Sequence, residues 1–236
     1  MPIDLRAYLQ LMRLPNVFTA MADILAGYFI VTQGRVVFPE LGLLLAASSC
    51  LYTGGIVLND YFDFETDRRE RPGRPLPSGR VSRNAAGRWG WGLTGVGILF
   101  GFAAGPASFV IALGIALSVI SYDTLTKGIA VIGPVNMGFC RYLNVTLGMS
   151  PVFGGTFPGF LLLVPLVMMA YITTLTFLSR MEAGSLKIQR GIKWMLLGII
   201  PLDAVIATVG AGPGYGAMVL VFLVPAFILS KILYMT

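Results

Sequence analysis

The chain alternates between long apolar segments and short polar ones. A helix that spans a membrane needs about 20 mainly apolar residues. By that measure the pattern predicts about eight spans, near residues 15–32, 38–58, 88–104, 107–122, 129–148, 157–178, 192–210 and 214–235. Glycine and proline interrupt several of them, as membrane helices tolerate. The predicted fold class is therefore an all-α integral membrane bundle.

The composition agrees with this fold class and narrows the chemistry. Apolar residues make up 56% of the 236 residues and charged residues 12%, which is half of the ~25% usual in soluble proteins. This excludes a water-soluble enzyme. The chain has no histidine and two distant cysteines, Cys50 and Cys140, which excludes a His/Cys zinc site, a CxxC redox pair and a histidine base. Polar chemistry must use Asp, Glu, Asn, Tyr, Arg and Lys.

The distribution of basic residues predicts the orientation. They concentrate before the first span, in the second-to-third loop and in the sixth-to-seventh loop. The positive-inside rule then places both termini in the cytoplasm, and in a prokaryote the membrane is the cytoplasmic one. The net charge of +6 is thus an orientation signal and not a sign of nucleic-acid binding. Residues 1–14 are predicted to form an interfacial helix with Leu5, Leu9 and Met12 on one face. They lack the pattern of a cleavable signal peptide.

Acidic residues cluster at the cytoplasmic end of the second span. Five of the eleven lie between positions 60 and 70. On a continuous helix Asn59, Asp60, Asp63 and Asp67 fall within about 100° of one another. Carboxylates four residues apart converge and repel unless a cation lies between them, and such hard oxygen ligands suit Mg²⁺ together with substrate phosphates. A solvated loop with mixed charges is the alternative.

Arginines and prolines follow the acids directly, from Arg68 to Arg80. Arginines spaced by prolines predict a stiff, non-helical strap whose guanidinium groups suit phosphate oxygens. Residues 59–83 are therefore predicted as a cytoplasmic loop that carries carboxylates for Mg²⁺ beside arginines for phosphate. A ligand with a diphosphate head and a hydrocarbon tail would fit both this loop and the apolar bundle.

These motifs resemble those of a known family. NDxxDxxxD (Asn59 to Asp67), followed by RPxRPLPSGRVS (Arg71 to Ser82), resembles the first signature of the UbiA-type intramembrane prenyltransferases. Leu14-Pro15-Asn16 resembles the family's first helix, and Tyr122 with Lys127 resembles its Tyr/Lys loop. The segment from Gly138 to Gly148, with Arg141 and Asn144, resembles its fifth helix.

The resemblance implies an activity and a set of site residues. It implies a Mg²⁺-dependent enzyme at the cytoplasmic side that ionises an isoprenyl diphosphate of C10 to C20 and transfers the prenyl group to a small, unidentified acceptor. The implied metal ligands are Asp60, Asp63, Asp67 and Glu182. The implied diphosphate-binding residues are Asn16, Asn59, Arg68, Arg71, Arg74, Lys127, Arg141, Asn144 and Arg180. The implied catalytic residues are Tyr122, which shields the carbocation, with Lys127, Arg141 and Glu182.

The sequence departs from the family pattern at two places. Where the family has a second motif, DxxxD, the predicted loop 179–191 contains Ser179-Arg180-Met181-Glu182 with one acid. This form resembles the EboC-like branch, whose acceptor is a polar cyclitol-type compound. The chain also ends after the eighth predicted span, whereas the family usually has nine, so a single domain over 1–236 without a ninth helix is expected.

Two other functions are compatible with the sequence. A UbiA-type terpene cyclase would use the same ionisation without an acceptor, and the altered second motif is compatible with it. A secondary transporter could use charges within the spans, Asp23, Arg141 and Asp203, and proline-containing helices also occur in transporters. The acids at one membrane edge and the arginine strap argue against the transporter.

Overall fold

A computed structural model describes residues 4–155, 158–180 and 186–233, and these residues form helices joined by short connections. The helices are α1 (Leu5–Leu11), α2 (Leu14–Thr32), α3 (Phe38–Phe62), α4 (Phe64–Glu70), α5 (Arg83–Ala104), α6 (Pro106–Ser121), α7 (Ile132–Met149), α8 (Val164–Arg180), α9 (Leu186–Ala211), α10 (Pro213–Leu220) and α11 (Leu223–Leu229). A π-helical segment, Tyr122–Thr126, continues α6, and a 3₁₀ segment, Gly159–Leu163, precedes α8. The all-α class is confirmed.

Each predicted span coincides with a helix or with two consecutive ones. In the part of the chain that the structure describes, five helical segments are long and apolar enough to cross a membrane: Leu14–Thr32, Phe38–Phe62, Pro106–Thr126, Gly159–Arg180 and Arg190–Ala211. α10 and α11 together cover Pro213–Leu229 as a shorter apolar segment. An integral membrane fold is therefore confirmed, while the number of eight crossings stays a prediction.

Two segments predicted as loops are partly helical. Within 59–83, α3 continues to Phe62, and α4 occupies Phe64–Glu70. α4 forms because acids lie in its first turn and arginines in its last, which complements the helix dipole, and Pro72-Gly73 then ends it. Within 179–191, α8 extends to Arg180 and α9 begins at Leu186. Residues 181–185, including Glu182, lie outside the described residues.

α1 is a short helix that packs against residues 71–82. These residues are the part of the predicted arginine strap and its continuation that is not helical, and the name strap refers to them from here on. The Asp4 carboxylate caps it by accepting a hydrogen bond of 3.0 Å from the Ala7 amide. Its buried face contains Ala7 and Leu11, which belong to one apolar cluster with Leu76 and Val81 of the strap. Leu5 is 66% exposed. Met12, which belongs to the face predicted with Leu5 and Leu9, also packs against this cluster. The placement of this face at a membrane interface stays a prediction.

α2 and α7 approach each other so closely that their backbones touch. A Cβ atom on Gly27 of α2 would collide with the Val145 carbonyl, and one on Gly148 of α7 would collide with the Ile24 carbonyl. Small residues at helix crossings let membrane helices come this close. The reciprocal pair of glycines therefore sets the distance between the two helices.

Gly148→Ala is expected to destabilise the protein, because the new methyl group meets backbone atoms that cannot move aside independently. Overpacking of this kind costs about 1–3 kcal/mol, so the thermal unfolding midpoint in detergent should fall. Gly95→Ala in α5 is the matched control, since nothing lies within 4 Å of its added Cβ, and its midpoint should stay or rise slightly. Equal midpoints for the two variants would contradict the close packing.

Candidate functional site

A cavity of about 1180 Å³ lies within the helix bundle and changes character along its length. Its polar mouth is lined by charged and amide side chains, namely Arg13, Asn59, Asp63, Asp67, Arg71, Arg74, Asp123 and Lys127. Its apolar interior is lined by Leu51, Ile115, Val119, Met137, Ile172, Leu175, Ile192 and Leu196. Leu51 precedes Asp63 by twelve residues, which is about 18 Å of helix. The cavity can therefore hold a ligand with a charged end and a long apolar body.

The end of α3 and the short α4 supply the acids of the polar mouth. Asn59, Asp63 and Asp67 line the cavity, whereas Asp60 does not. Asp60 is 2% exposed and accepts a hydrogen bond of 3.0 Å from the Arg13 guanidinium. Around the helix axis, Asp60 lies at one edge of the arc that contains Asn59, Asp63 and Asp67, and it contacts Arg13. In this structure Asp60 holds neighbouring arginines in place rather than facing the cavity.

The acids of the mouth are paired with basic side chains from other segments. The Lys127 ammonium donates to the Asp63 carboxylate, and the Arg74 guanidinium donates to Asp67 Oδ2 at 2.6 Å. Arg74 also lies 3.6 Å from Asp60 Oδ1. The strap and the loop after α6 thus meet the acidic end of α3 and α4. Acids and bases that the sequence places far apart alternate around one opening.

Asp123 is a residue of the mouth that the sequence analysis did not identify. Its Oδ1 accepts a hydrogen bond of 2.6 Å from the Asn59 amide, and its buried Oδ2 has no partner among the described residues. The π-helical turn at Tyr122–Thr126 carries both Tyr122 and Asp123 to the cavity wall. The available signal was an acid directly after the tyrosine of the Tyr/Lys loop.

Tyr122 and Lys127 lie together at the wall of the cavity. Tyr122 is largely buried, and the Lys127 nitrogen is 5.9 Å from the centroid of its ring. Both residues line the cavity. The aromatic face of Tyr122 therefore lies where the polar mouth meets the apolar interior.

Arg141 and Asn144 line the cavity deeper along α7. Arg141 is nine residues past Ile132, about 13 Å into the helix. Its guanidinium donates to Asp23 Oδ2 at 2.6 Å and to Thr19 at 2.7 Å. Asn144 donates to the same Asp23 oxygen at 2.8 Å. Arg141 is therefore charge-paired within the bundle and is not directed at the mouth.

The remaining predicted residues divide into three groups. Asn16 is buried and lines the cavity, and Arg71 lines its mouth. Arg68 is exposed and Arg180 is exposed at the end of α8, and neither lines the cavity. Arg180 instead donates to the backbone carbonyls of Lys127, Ile129 and Ala130, which fixes the segment that carries Lys127. Glu182 lies outside the described residues.

The donor set of the mouth suits Mg²⁺ when a phosphate completes the coordination. Among the residues that the structure describes, no three Asp, Glu, Cys or His side chains form a group that could hold a metal ion alone. Mg²⁺ usually binds through one or two carboxylates plus substrate phosphates and water. Asp63, Asp67 and Asp123 are carboxylates that line the mouth, so one or two of them with a substrate phosphate fit this ion.

The fold and the cavity define an all-helical membrane protein built to hold an amphiphile with an anionic head. The sequence over residues 20–236 matches the model of the UbiA prenyltransferase family. The chain therefore belongs to the UbiA prenyltransferase family, and the resemblance found in the motifs is confirmed.

Among similar proteins are digeranylgeranylglyceryl phosphate synthases of archaea. The enzyme of Sulfolobus acidocaldarius is 30% identical over 174 residues, which cover 72% of this chain and 61% of that protein. The enzyme of Methanoregula boonei is 34% identical over 178 residues, covering 75% and 61%. The matched regions thus span about three fifths of the length of these two relatives. These relatives give no support to the EboC-like branch suggested by the residues around Glu182.

Solved structures show the same fold. A digeranylgeranylglyceryl phosphate synthase structure superposes with a TM-score of 0.66 at 22% identity, covering 96% of this chain and 88% of that one. A UbiA homologue from Archaeoglobus fulgidus bound to DMAPP and Mg²⁺ gives a TM-score of 0.64 at 16% identity, covering 95% and 86%. At these identities the likeness establishes the arrangement of helices.

Arg71→Ala is expected to weaken the binding of inorganic pyrophosphate by about 3–10-fold, because one charge-assisted donor of the cavity mouth is lost. Arg68→Ala is the matched control: it removes the same charge three residues earlier, at the end of α4, from a side chain that does not line the cavity. Calorimetric titration of the detergent-solubilised protein with pyrophosphate and Mg²⁺ measures both. Equal losses would mean that only net charge matters.

Proposed function

We propose that the protein is a Mg²⁺-dependent intramembrane prenyltransferase that cleaves an isoprenyl diphosphate and joins the prenyl chain to a hydroxyl group of an acceptor. The observation that carries this proposal is a single cavity with paired acids and bases at its mouth and an apolar interior. A charged head and a hydrocarbon tail need these two environments side by side. Membership of the UbiA prenyltransferase family supports the reaction type.

The relatives suggest the two substrates. Digeranylgeranylglyceryl phosphate synthases are among the similar proteins, so we propose geranylgeranyl diphosphate as donor and geranylgeranylglyceryl phosphate as acceptor. The Archaeoglobus fulgidus homologue was solved with DMAPP and with GPP, each with Mg²⁺. The cavity of about 1180 Å³ exceeds the usual 300–1,000 Å³ of ligand pockets, which suits long prenyl chains.

The diphosphate head would lie at the mouth, where Asp63, Asp67 and Asp123 would hold Mg²⁺. The metal would neutralise charge on the diphosphate and make it a better leaving group. Lys127 and Arg74, paired with the acids in this structure, are placed to donate to diphosphate oxygens as charge develops on them. Arg71 adds a further donor at the rim. Asp60, which does not line the cavity, would hold the Arg13 and Arg74 side chains in position through ion pairs.

Cleavage of the allylic C–O bond leaves the electron pair on the diphosphate and a carbocation on the prenyl chain. The ring of Tyr122 at the junction of mouth and interior can stabilise that cation through its π-face, a contact worth ~0.5–2 kcal/mol. The acceptor hydroxyl oxygen then forms the new C–O bond and releases its proton. The apolar interior keeps water from intercepting the cation.

Several features predicted from sequence complete the proposal. We place the polar mouth and both termini on the cytoplasmic side, with about eight helices crossing the membrane and one domain over 1–236. The concentration of basic residues around the mouth supports this orientation. Glu182 remains a predicted ligand of a second Mg²⁺. Arg180 was predicted from sequence to bind the diphosphate, and its hydrogen bonds to the carbonyls around Lys127 support a role in positioning Lys127.

Asp63→Asn is expected to lower prenyl transfer by about 10²-fold or more, because a cavity-facing carboxylate for the metal is lost. Glu65→Gln is the control, since Glu65 is an exposed acid of the same segment that does not line the cavity. The assay follows labelled geranylgeranyl diphosphate with geranylgeranylglyceryl phosphate and Mg²⁺, and mass spectrometry identifies the adduct.

The same assay separates the competing functions. Wild-type protein should release diphosphate only when the acceptor is present and should form the doubly prenylated product. A terpene hydrocarbon or alcohol formed without acceptor would instead establish a cyclase. Diphosphate release that Asp63→Asn leaves unchanged would show that the metal site is misassigned. No release with any chain length would overturn the enzymatic proposal.

A further inference from the structure

A second acid lies beside the ion pair of Asp23 and Arg141. Asp203 of α9 and Asp23 of α2 are both fully buried, at 0% exposure, and their carboxyl groups are within hydrogen-bonding reach of each other. Among the described residues, neither Asp203 oxygen has a hydrogen-bond partner, and Asp23 Oδ1 has none either. Asp203 therefore lies beside Asp23, and each acid carries at least one oxygen without a partner among the described residues.

Charge balance decides the protonation of this pair. The charged and titratable groups around Asp203 are Asp23 and Arg141, with Tyr52 beyond the guanidinium. One arginine balances one carboxylate. A second carboxylate in the same buried interior would lack a cation and would repel the first, which favours a neutral Asp203 that carries a proton. A proton between them also satisfies the oxygens that otherwise lack partners.

We propose that Asp203 is a positioning residue that holds a proton and donates it in a hydrogen bond to Asp23 Oδ1. Asp23 is then fixed from both sides: Oδ1 by Asp203, and Oδ2 by Arg141 and Asn144. Arg141 and Asn144 line the cavity, so Asp203 sets the placement of two cavity side chains without touching the ligand. The catalytic consequence rests on the proposed prenyl transfer, whereas the protonation does not.

The cluster also fixes the character of the deep cavity wall. With one proton shared, the positive charge of Arg141 is balanced by the single negative charge of Asp23. Arg141 and Asn144 therefore present hydrogen-bonding groups deep in the cavity without net charge. A wall of this kind contacts the acceptor or the start of the prenyl chain without attracting the diphosphate away from the mouth.

Two substitutions at Asp203 test the positioning role. Asp203→Asn keeps a donor of nearly the same shape, so kcat/KM should stay within about twofold of wild type. Asp203→Leu keeps the branched shape but removes the donor and leaves Asp23 Oδ1 unsatisfied, so kcat/KM should fall at least about tenfold. Pyrophosphate binding at the mouth should be unchanged in both variants. An Asn variant as impaired as the Leu variant would overturn the proposal.

Infrared spectroscopy tests the shared proton without an activity assay. At neutral pH the difference spectrum between wild type and Asp203→Asn should contain the carbonyl stretch of a protonated carboxylic acid, lost in the variant. A difference spectrum without that band would refute the protonated pair. Because this measurement uses the ligand-free protein, it remains decisive if Asp203→Leu fails to fold, and it distinguishes this proposal from failure of the proposed enzymatic function.

Discussion

The buried guanidinium of Arg141 is the group on which the arrangement of helices depends. A charge inside a membrane bundle is costly unless an opposite charge and further hydrogen bonds meet it. Asp23 meets this need from α2, but only because the two helices are close enough for a 2.6 Å contact. Gly27 and Gly148 permit that approach, so the small residues and the ion pair require each other. One wall of the cavity is thereby fixed.

The mouth of the cavity follows a different electrostatic rule from its depth. At the mouth, the pair of Lys127 and Asp63 remains partly exposed, at 33% and 24%, and an ion pair between such groups is weak because water screens it. An arriving polyanion and its metal can therefore exchange partners with these side chains at small cost. In the depth the pair of Arg141 and Asp23 is dry and cannot be exchanged so readily. The mouth is therefore suited to binding and releasing the diphosphate. The ion pair in the depth is suited to fixing the positions of the helices that carry it.

Sequence patterns predicted the parts of this architecture that are local in the chain. Apolar runs of membrane-spanning length identified the helices, and the motif from Asn59 to Asp67 identified three of the residues at the mouth. The orientation of Asp60 away from the cavity was not predictable, because it depends on Arg13 from another segment. Asp123 was missed because its inward direction comes from a π-helical turn, and a single extra residue in a helix leaves no periodic signal.

Contacts between distant segments account for the rest. Asp23 and Arg141 are 118 residues apart, and no sequence pattern around either residue indicates that the other is its partner. In the fold Arg141 and Asp23 pair with each other, and the proposed proton on Asp203 completes a cluster of three residues. Asp23, Arg141 and Asp203, which suggested a transport path in the sequence, thus lie together in one cluster in which the positive charge is balanced. Since Arg141 is already paired in the depth, the basic side chains that a diphosphate can meet at the cavity wall lie at the mouth, and the apolar interior below it is left for the hydrocarbon chain.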